Sequence, residues 1–193
     1  QLPRDKIEAI IAGLPVPRTE IVTLDREPVG RELFSVFDGI AVGPIGQAWL
    51  DALKSKVKAF GTPCFLRTGQ TSHKHDWKDS CFVTDAEKIE SHVFNLIEFS
   101  GCMGLPWDVW AIREMLPVTP LFHAFRGEMP IVREFRVFAD SGKTLCFHPY
   151  WPRDSLEEHT RCSDWRDILD KANTLDQDES DVIFDLACRA SKA

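Results

Sequence analysis

One run of the sequence, MPIVREFRVFADSGKTLCFHPYW at residues 129–151, constrains the fold more than any other. Two stretches rich in β-branched and aromatic residues flank Asp140, Ser141 and Gly142, a tight-turn signature, and together they predict an antiparallel hairpin. Side chains alternate along a strand. Within REFRVF, Arg133, Phe135 and Val137 are therefore expected on one side and Glu134, Arg136 and Phe138 on the other. A carboxylate beside a guanidinium in mid-strand is costly if buried without partners, so the face holding Glu134 and Arg136 must be wet, paired or occupied by a ligand.

The remaining periodicities mix helices with strands. Ile7, Ile10, Ile11 and Leu14 fall on one face of a helix through residues 4–14, ended by Gly13 and Pro15. TEIVTL and FDGIAVG read as strand-like pieces. Ile45, Trp49, Leu50, Leu53 and Val57 recur at helical spacing over 46–59, where Gly61 and Pro63 stop the helix. CFLRTG and CFVTD form a second hairpin, whose long polar tip is QTSHKHDWKDS. Thr84 and Glu87 make a capping-box pattern ahead of a helix over 86–100. WDVWAIREML is strand-like, with Val109, Ala111 and Arg113 alternating against Trp110, Ile112 and Glu114. Two helices close the chain, the second with Val182, Ile183, Leu186, Ala187 and Ala190 on its apolar face. This order of elements indicates an α+β fold with antiparallel sheets.

The sequence has no apolar run of the length a membrane helix needs and no signal-peptide pattern, which predicts a soluble, intracellular, cytoplasmic protein with no membrane partner. The six cysteines form no CxxC pair and read as buried thiols in a reducing compartment. A net charge of −7 disfavours a nucleic-acid partner, because phosphate neutralisation calls for a basic face. Arg67, Lys74, Lys78, Arg133 and Arg136 nevertheless lie in or beside strands, which points to a small polyanion.

Arg67 ends a strand and Lys74 sits on the polar tip, where backbone N–H groups and a mobile ammonium can balance phosphate charge. Neither GxxxxGK[ST] nor GxGxxG occurs. His73, His75 and Asp76, with the distant His92 or His123, suggest a metal site, but HxHD on a loop lacks a defined third and fourth ligand. No nucleophile-elbow motif anchors a Ser-His-Asp triad. The tryptophans read as core and lid packing, with Trp151 as the one that would form a substrate-side wall.

Taken in order, FLRTGQTSHKHDWKDSCFV, VWAIREMLP and MPIVREFRVFADSGKTLCFHPYWP resemble an atypical ATP-grasp family common in phage and bacterial genomes. The resemblance covers residues 60–153 and extends loosely to the flanks. It implies two α+β subdomains that hold ATP in a cleft between them. It also implies a division into 1–59, an N-terminal subdomain; 60–116, a lobe with the phosphate hairpin; and 117–193, a C-terminal lobe. By motif, Arg67 and Lys74 match the phosphate-contacting cations. Glu114 and Leu116 match the hinge that reads the adenine edge, and Glu134 and Arg136 match the catalytic strand beneath the triphosphate, facing the acceptor. The implied activity is that of an ATP-dependent ligase that uses Mg2+ and activates a carboxylate or related acceptor by phosphoryl transfer.

Two departures stand out. His73 occupies a position where the family has glycine. Beyond the point where ASKA ends this sequence, the family continues into a strand whose acids hold Mg2+, so no metal ligand is assigned. A noncatalytic nucleotide-binding or interaction module and a nucleic-acid end-processing ligase stand as alternatives.

Overall fold

A computed structural model describes residues 13–157 and 160–192; the helix expected over 4–14 lies almost wholly outside them. The architecture is α+β with antiparallel sheets, as the periodicities indicate. The chain divides into two compact units, Pro17–Pro117 and Val118–Ala193 joined by the N-terminal segment through Val16. The boundary expected at 59/60 therefore falls inside the first unit.

The unit Pro17–Pro117 holds a four-stranded antiparallel sheet of β1 (Thr19–Thr23), β2 (Cys64–Thr68), β3 (Phe82–Val83) and β4 (Val109–Glu114), in the order β1-β4-β2-β3. Helices α1 (Pro44–Phe60) and α2 (Ile89–Cys102) supply Leu50, Leu53, Val57, Val93, Leu96 and Ile97 to a core shared with Val22, Leu66, Trp110 and Ile112 of the sheet. Gly61 stops α1 at a φ of 97°, a conformation that side chains with a Cβ avoid. The expected strand FDGIAVG is a correction. Residues Arg26–Gly30, Arg31–Phe34 and Ser35–Asp38 wind through three short helical turns, and Gly39 at φ 76° ends them before any strand begins. The N-cap before α2 is Asp85, one residue after the expected Thr84; its carboxylate accepts from Glu87 N at 2.9 Å.

A half-buried acid organises the start of α1. Glu32 reaches forward and its Oε2 accepts from Gly46 N at 2.8 Å, which satisfies a donor that the helix leaves over. A Cβ on Gly43 would lie 2.4 Å from the same carboxylate, so glycine there is what lets the cap approach.

In the other unit, the predicted hairpin is β7 (Phe135–Asp140) and β8 (Lys143–Pro149). Its turn residues Ser141 and Gly142 have φ 48° and 80°, as the two-residue turn that matches strand twist requires. A smaller hairpin pairs β5 (Phe122–Ala124) with β6 (Met129–Ile131). Its turn holds Phe125, Arg126 and Gly127 all at positive φ. Helices α3 (Trp165–Ala172) and α4 (Gln177–Ser191) follow. Phe184 meets the Phe147 ring at 5.0 Å and Cys188 meets Thr144 at 3.6 Å, so the stripe of α4 against the hairpin runs through Phe184 and Cys188. Val182, expected inside, is 61% exposed.

Candidate functional site

The two faces of the four-stranded sheet differ in chemistry. Thr19, Ile21, Thr23, Phe65, Arg67, Val109, Ala111 and Arg113 all have the parity opposite to the core residues, and none of them belongs to the core cluster. Ile21 is 52% exposed and both arginines are half-buried. Register places Arg67 opposite Ala111 and Arg113 opposite Phe65. The two guanidiniums thus spring from diagonal positions on neighbouring strands, about 7 Å apart at the backbone. To this face the strands contribute two guanidiniums and no carboxylate, since Glu20 and Glu114 carry the other parity. Arg67 is tied down by its own Nε, which donates to Thr68 C=O at 2.9 Å.

Arg113 was visible in the sequence as part of the VWAIRE alternation. Its pairing with Arg67 was not, because strand register is a long-range property.

Lys74 sits on a loop that is held rather than loose. Thr68 Oγ1 accepts from Gln70 N and Thr71 N at 3.3 and 3.0 Å, closing the first turn. His92, Asn95 and Phe99 then form one stripe of α2, at spacings of three and four residues, and that stripe grips the loop. His92 Nδ1 lies 3.0 Å from Ser80 C=O, Asn95 Nδ2 donates to Asp79 C=O at 2.8 Å, and the His73 ring stacks on Phe99 at 3.9 Å. The long polar tip expected from composition is thus a loop clasped by α2. His73 has φ 45°, the left-handed region that favours glycine, so its ring contacts hold a conformation its backbone resists.

Ser80 Oγ lies 3.3 Å from His73 Nδ1 and 3.5 Å from Asp76 Oδ2. This is not a nucleophilic triad. The serine stands between the histidine and the acid, and it is fully buried. Burial lowers the pKa of His92, against the pull of the Ser80 carbonyl and Asp79 and alongside Lys88; burial likewise lowers that of His73, against Asp76 and Glu98. Both rings are thus neutral in the folded state near pH 7, whereas the unfolded chain takes up their protons near the ordinary value of 6.5. Their stabilising share is complete above that value and shrinks as pH falls below it. Thermal melts at pH 7.5 and 5.5 should show a lower midpoint at pH 5.5. A His92→Gln variant, which cannot take up the proton, should show a smaller drop.

The remaining expected site residues are distributed as follows. Glu114 ends β4, its N–H donating to Arg18 C=O at 3.0 Å, and Leu116 follows it, 48% exposed, just before the boundary between the units. Glu134 and Arg136 belong to the second unit. Glu134 precedes β7, where its C=O accepts from Tyr150 N at 2.8 Å. Arg136 is exposed on β7, opposite His148, with its guanidinium 4.7 Å from the centre of the Tyr150 ring. Arg133 points the other way, toward α4, and pairs with Glu179. Trp151, expected as a substrate wall, is 4% exposed, and its ring lies edge-on to Tyr150 at 4.9 Å and tilted against Phe125 at 6.1 Å.

Only Cys64 and Cys81 of the six cysteines are buried, and burial pushes their thiols up to about 11 and about 12; Cys102 and Cys146 are exposed. Among the described residues, no group of three or more His, Cys, Asp or Glu side chains is placed to hold a metal ion, so the implied Mg2+ finds no ligand set here. Among those residues, too, no helix is long and apolar enough to cross a membrane. No family model, no curated protein and no solved structure matches this chain.

Proposed function

We propose that this chain is a nucleotide-binding protein of the ATP-grasp type, and that Arg67 and Arg113 take the phosphates of ATP on the face of the four-stranded sheet opposite its hydrophobic core. The observation that carries this reading is the diagonal placement of two guanidiniums on one face to which the strands add no carboxylate. Guanidinium groups suit phosphate because their planar fork donates two parallel bonds. The alternation of antiparallel hairpins with helices supports the same family.

The ligase activity that the sequence resemblance implies extends this reading. ATP would activate a carboxylate acceptor, with Lys74, Glu114 and Leu116 contributing on the nucleotide side. No step is derived through a metal, since no ligand group for one is in place.

Isothermal titration of the full chain with ATP and Mg2+ tests the binding. Arg67→Ala and Arg113→Ala should each weaken it about ten-fold, the order expected when one charge-assisted bond to a partly solvated phosphate is lost. Millimolar nucleotide without detectable binding by the parent chain would refute the proposal. Release of ADP or AMP from labelled ATP separates a ligase from a module that binds without turnover.

A further inference from the structure

Beside the two arginines the same face turns aromatic. Phe65 lies directly opposite Arg113 on one side and opposite Phe82 of the edge strand β3 on the other. Trp77, from the clasped loop, stacks on Phe82 at 5.3 Å with 21° between the planes and tilts against Phe65 at 5.8 Å. Trp77 is itself 8% exposed, whereas Phe65 and Phe82 are half-buried. The indole therefore backs the two phenyl rings, which keep part of their surface toward solvent. The cations and the rings are thus neighbours on one face: Phe65 lies one strand spacing, roughly 4.8 Å, from Arg113 and two residues along β2 from Arg67.

Resting on the reading of Arg67 and Arg113 as phosphate ligands, we infer that Phe65 and Phe82, backed by Trp77, receive the base of the bound nucleotide by stacking. The phenyl rings offer π-faces and no hydrogen-bonding atoms. Stacking of this kind tolerates any base, because every base has a π-face, and it grows with the area covered. The site should therefore take purine nucleoside triphosphates in preference to pyrimidine ones while hardly separating adenine from guanine. This assigns the base to the wall beside Arg113 rather than to the segment at Glu114 and Leu116.

Titration of the full chain with ATP, GTP, UTP and inorganic tripolyphosphate decides the matter. ATP and GTP should bind within about three-fold of each other and about ten-fold more tightly than tripolyphosphate, with UTP between. Phe65→Leu keeps the apolar bulk and removes the ring. It should bring ATP and GTP down to the affinity of tripolyphosphate while leaving tripolyphosphate itself unchanged. Phe82→Leu serves as an independent second variant, and circular dichroism checks that each is folded. Tripolyphosphate binding as tightly as ATP would overturn the inference and leave the phosphate reading intact. So would a preference for ATP over GTP beyond about twenty-fold, which signals an edge being read, or an equal loss for all four ligands in both variants. Failure of all four to bind the parent chain would remove both readings together.

Discussion

Trp110→Ala should cost the unit Pro17–Pro117 about 4 kcal/mol, within the range measured when large aromatic side chains are truncated in cores. Trp110 is fully buried in the middle of β4, with Val22 opposite it on β1, Thr68 opposite it on β2, and the Trp49 ring 5.6 Å away. No smaller side chain fills that volume. The indole Nε1 adds a second consideration, since it is buried without a hydrogen-bond partner. Burying an unsatisfied donor costs about 1–3 kcal/mol, so Trp110→Phe removes a penalty along with some packing and should cost less than about 2 kcal/mol. Urea titration followed by amide hydrogen exchange within residues 17–117 would measure both variants on the right unit. Equal losses for phenylalanine and alanine would mean that the indole N–H is satisfied after all.

The second large effect belongs to the other unit. Arg133 Nε donates to Ala172 C=O at 2.7 Å and Nη2 to Thr174 C=O at 2.7 Å, which satisfies carbonyls left over at the C-terminal end of α3. The same guanidinium forks onto Glu179, the N3 residue of the capping box that opens α4. One side chain therefore ties the end of one helix to the start of the next. Arg133→Ala should cost about 2 kcal/mol, mostly through the two carbonyls, because a salt bridge this exposed adds little. Arg133→Lys should recover only a small part, since an ammonium cannot span both carbonyls and the carboxylate. The guanidinium holds the Glu179 carboxyl well below its ordinary value of 4.5, at about 2. That contribution is complete above pH 4.5 and lost as pH falls through 2, so the gap in melting temperature between parent and variant should narrow across that window.

How far the sequence revealed this fold depended on the reach of each signal. The hairpin β7–β8 was legible because alternation and turn chemistry are both local, and Ser141 and Gly142 adopt the positive φ that the turn demands. Helices α1 and α2 were legible through their 3.6-residue period. FDGIAVG misled because a short run containing aromatic and β-branched residues imitates a strand, while short helical turns such as those over 26–38 leave no periodic trace. The polar loop 69–81 read as a solvated tip on composition, yet His92, Asn95 and Phe99 lie far enough along the chain that their grip leaves no local mark. Arg133 was seen as a strand cation, but its partner is 46 residues away, and only the packed structure shows that it is spent on helix ends. The candidate site divides in the same manner. Arg67 was singled out from its strand, whereas Arg113 gained meaning once the register set it diagonally across from Arg67.

Residues 17–117 form an unbroken stretch whose first and last strands, β1 and β4, are immediate neighbours, with Arg18 C=O accepting from Glu114 N at 3.0 Å. The stretch interrupts a unit composed of what comes before it and what comes after it. Its four strands pair only with one another, so during synthesis it can close upon itself once Pro117 has emerged from the ribosome. The enclosed portion is thus the natural place to cut when a self-sufficient fragment is wanted.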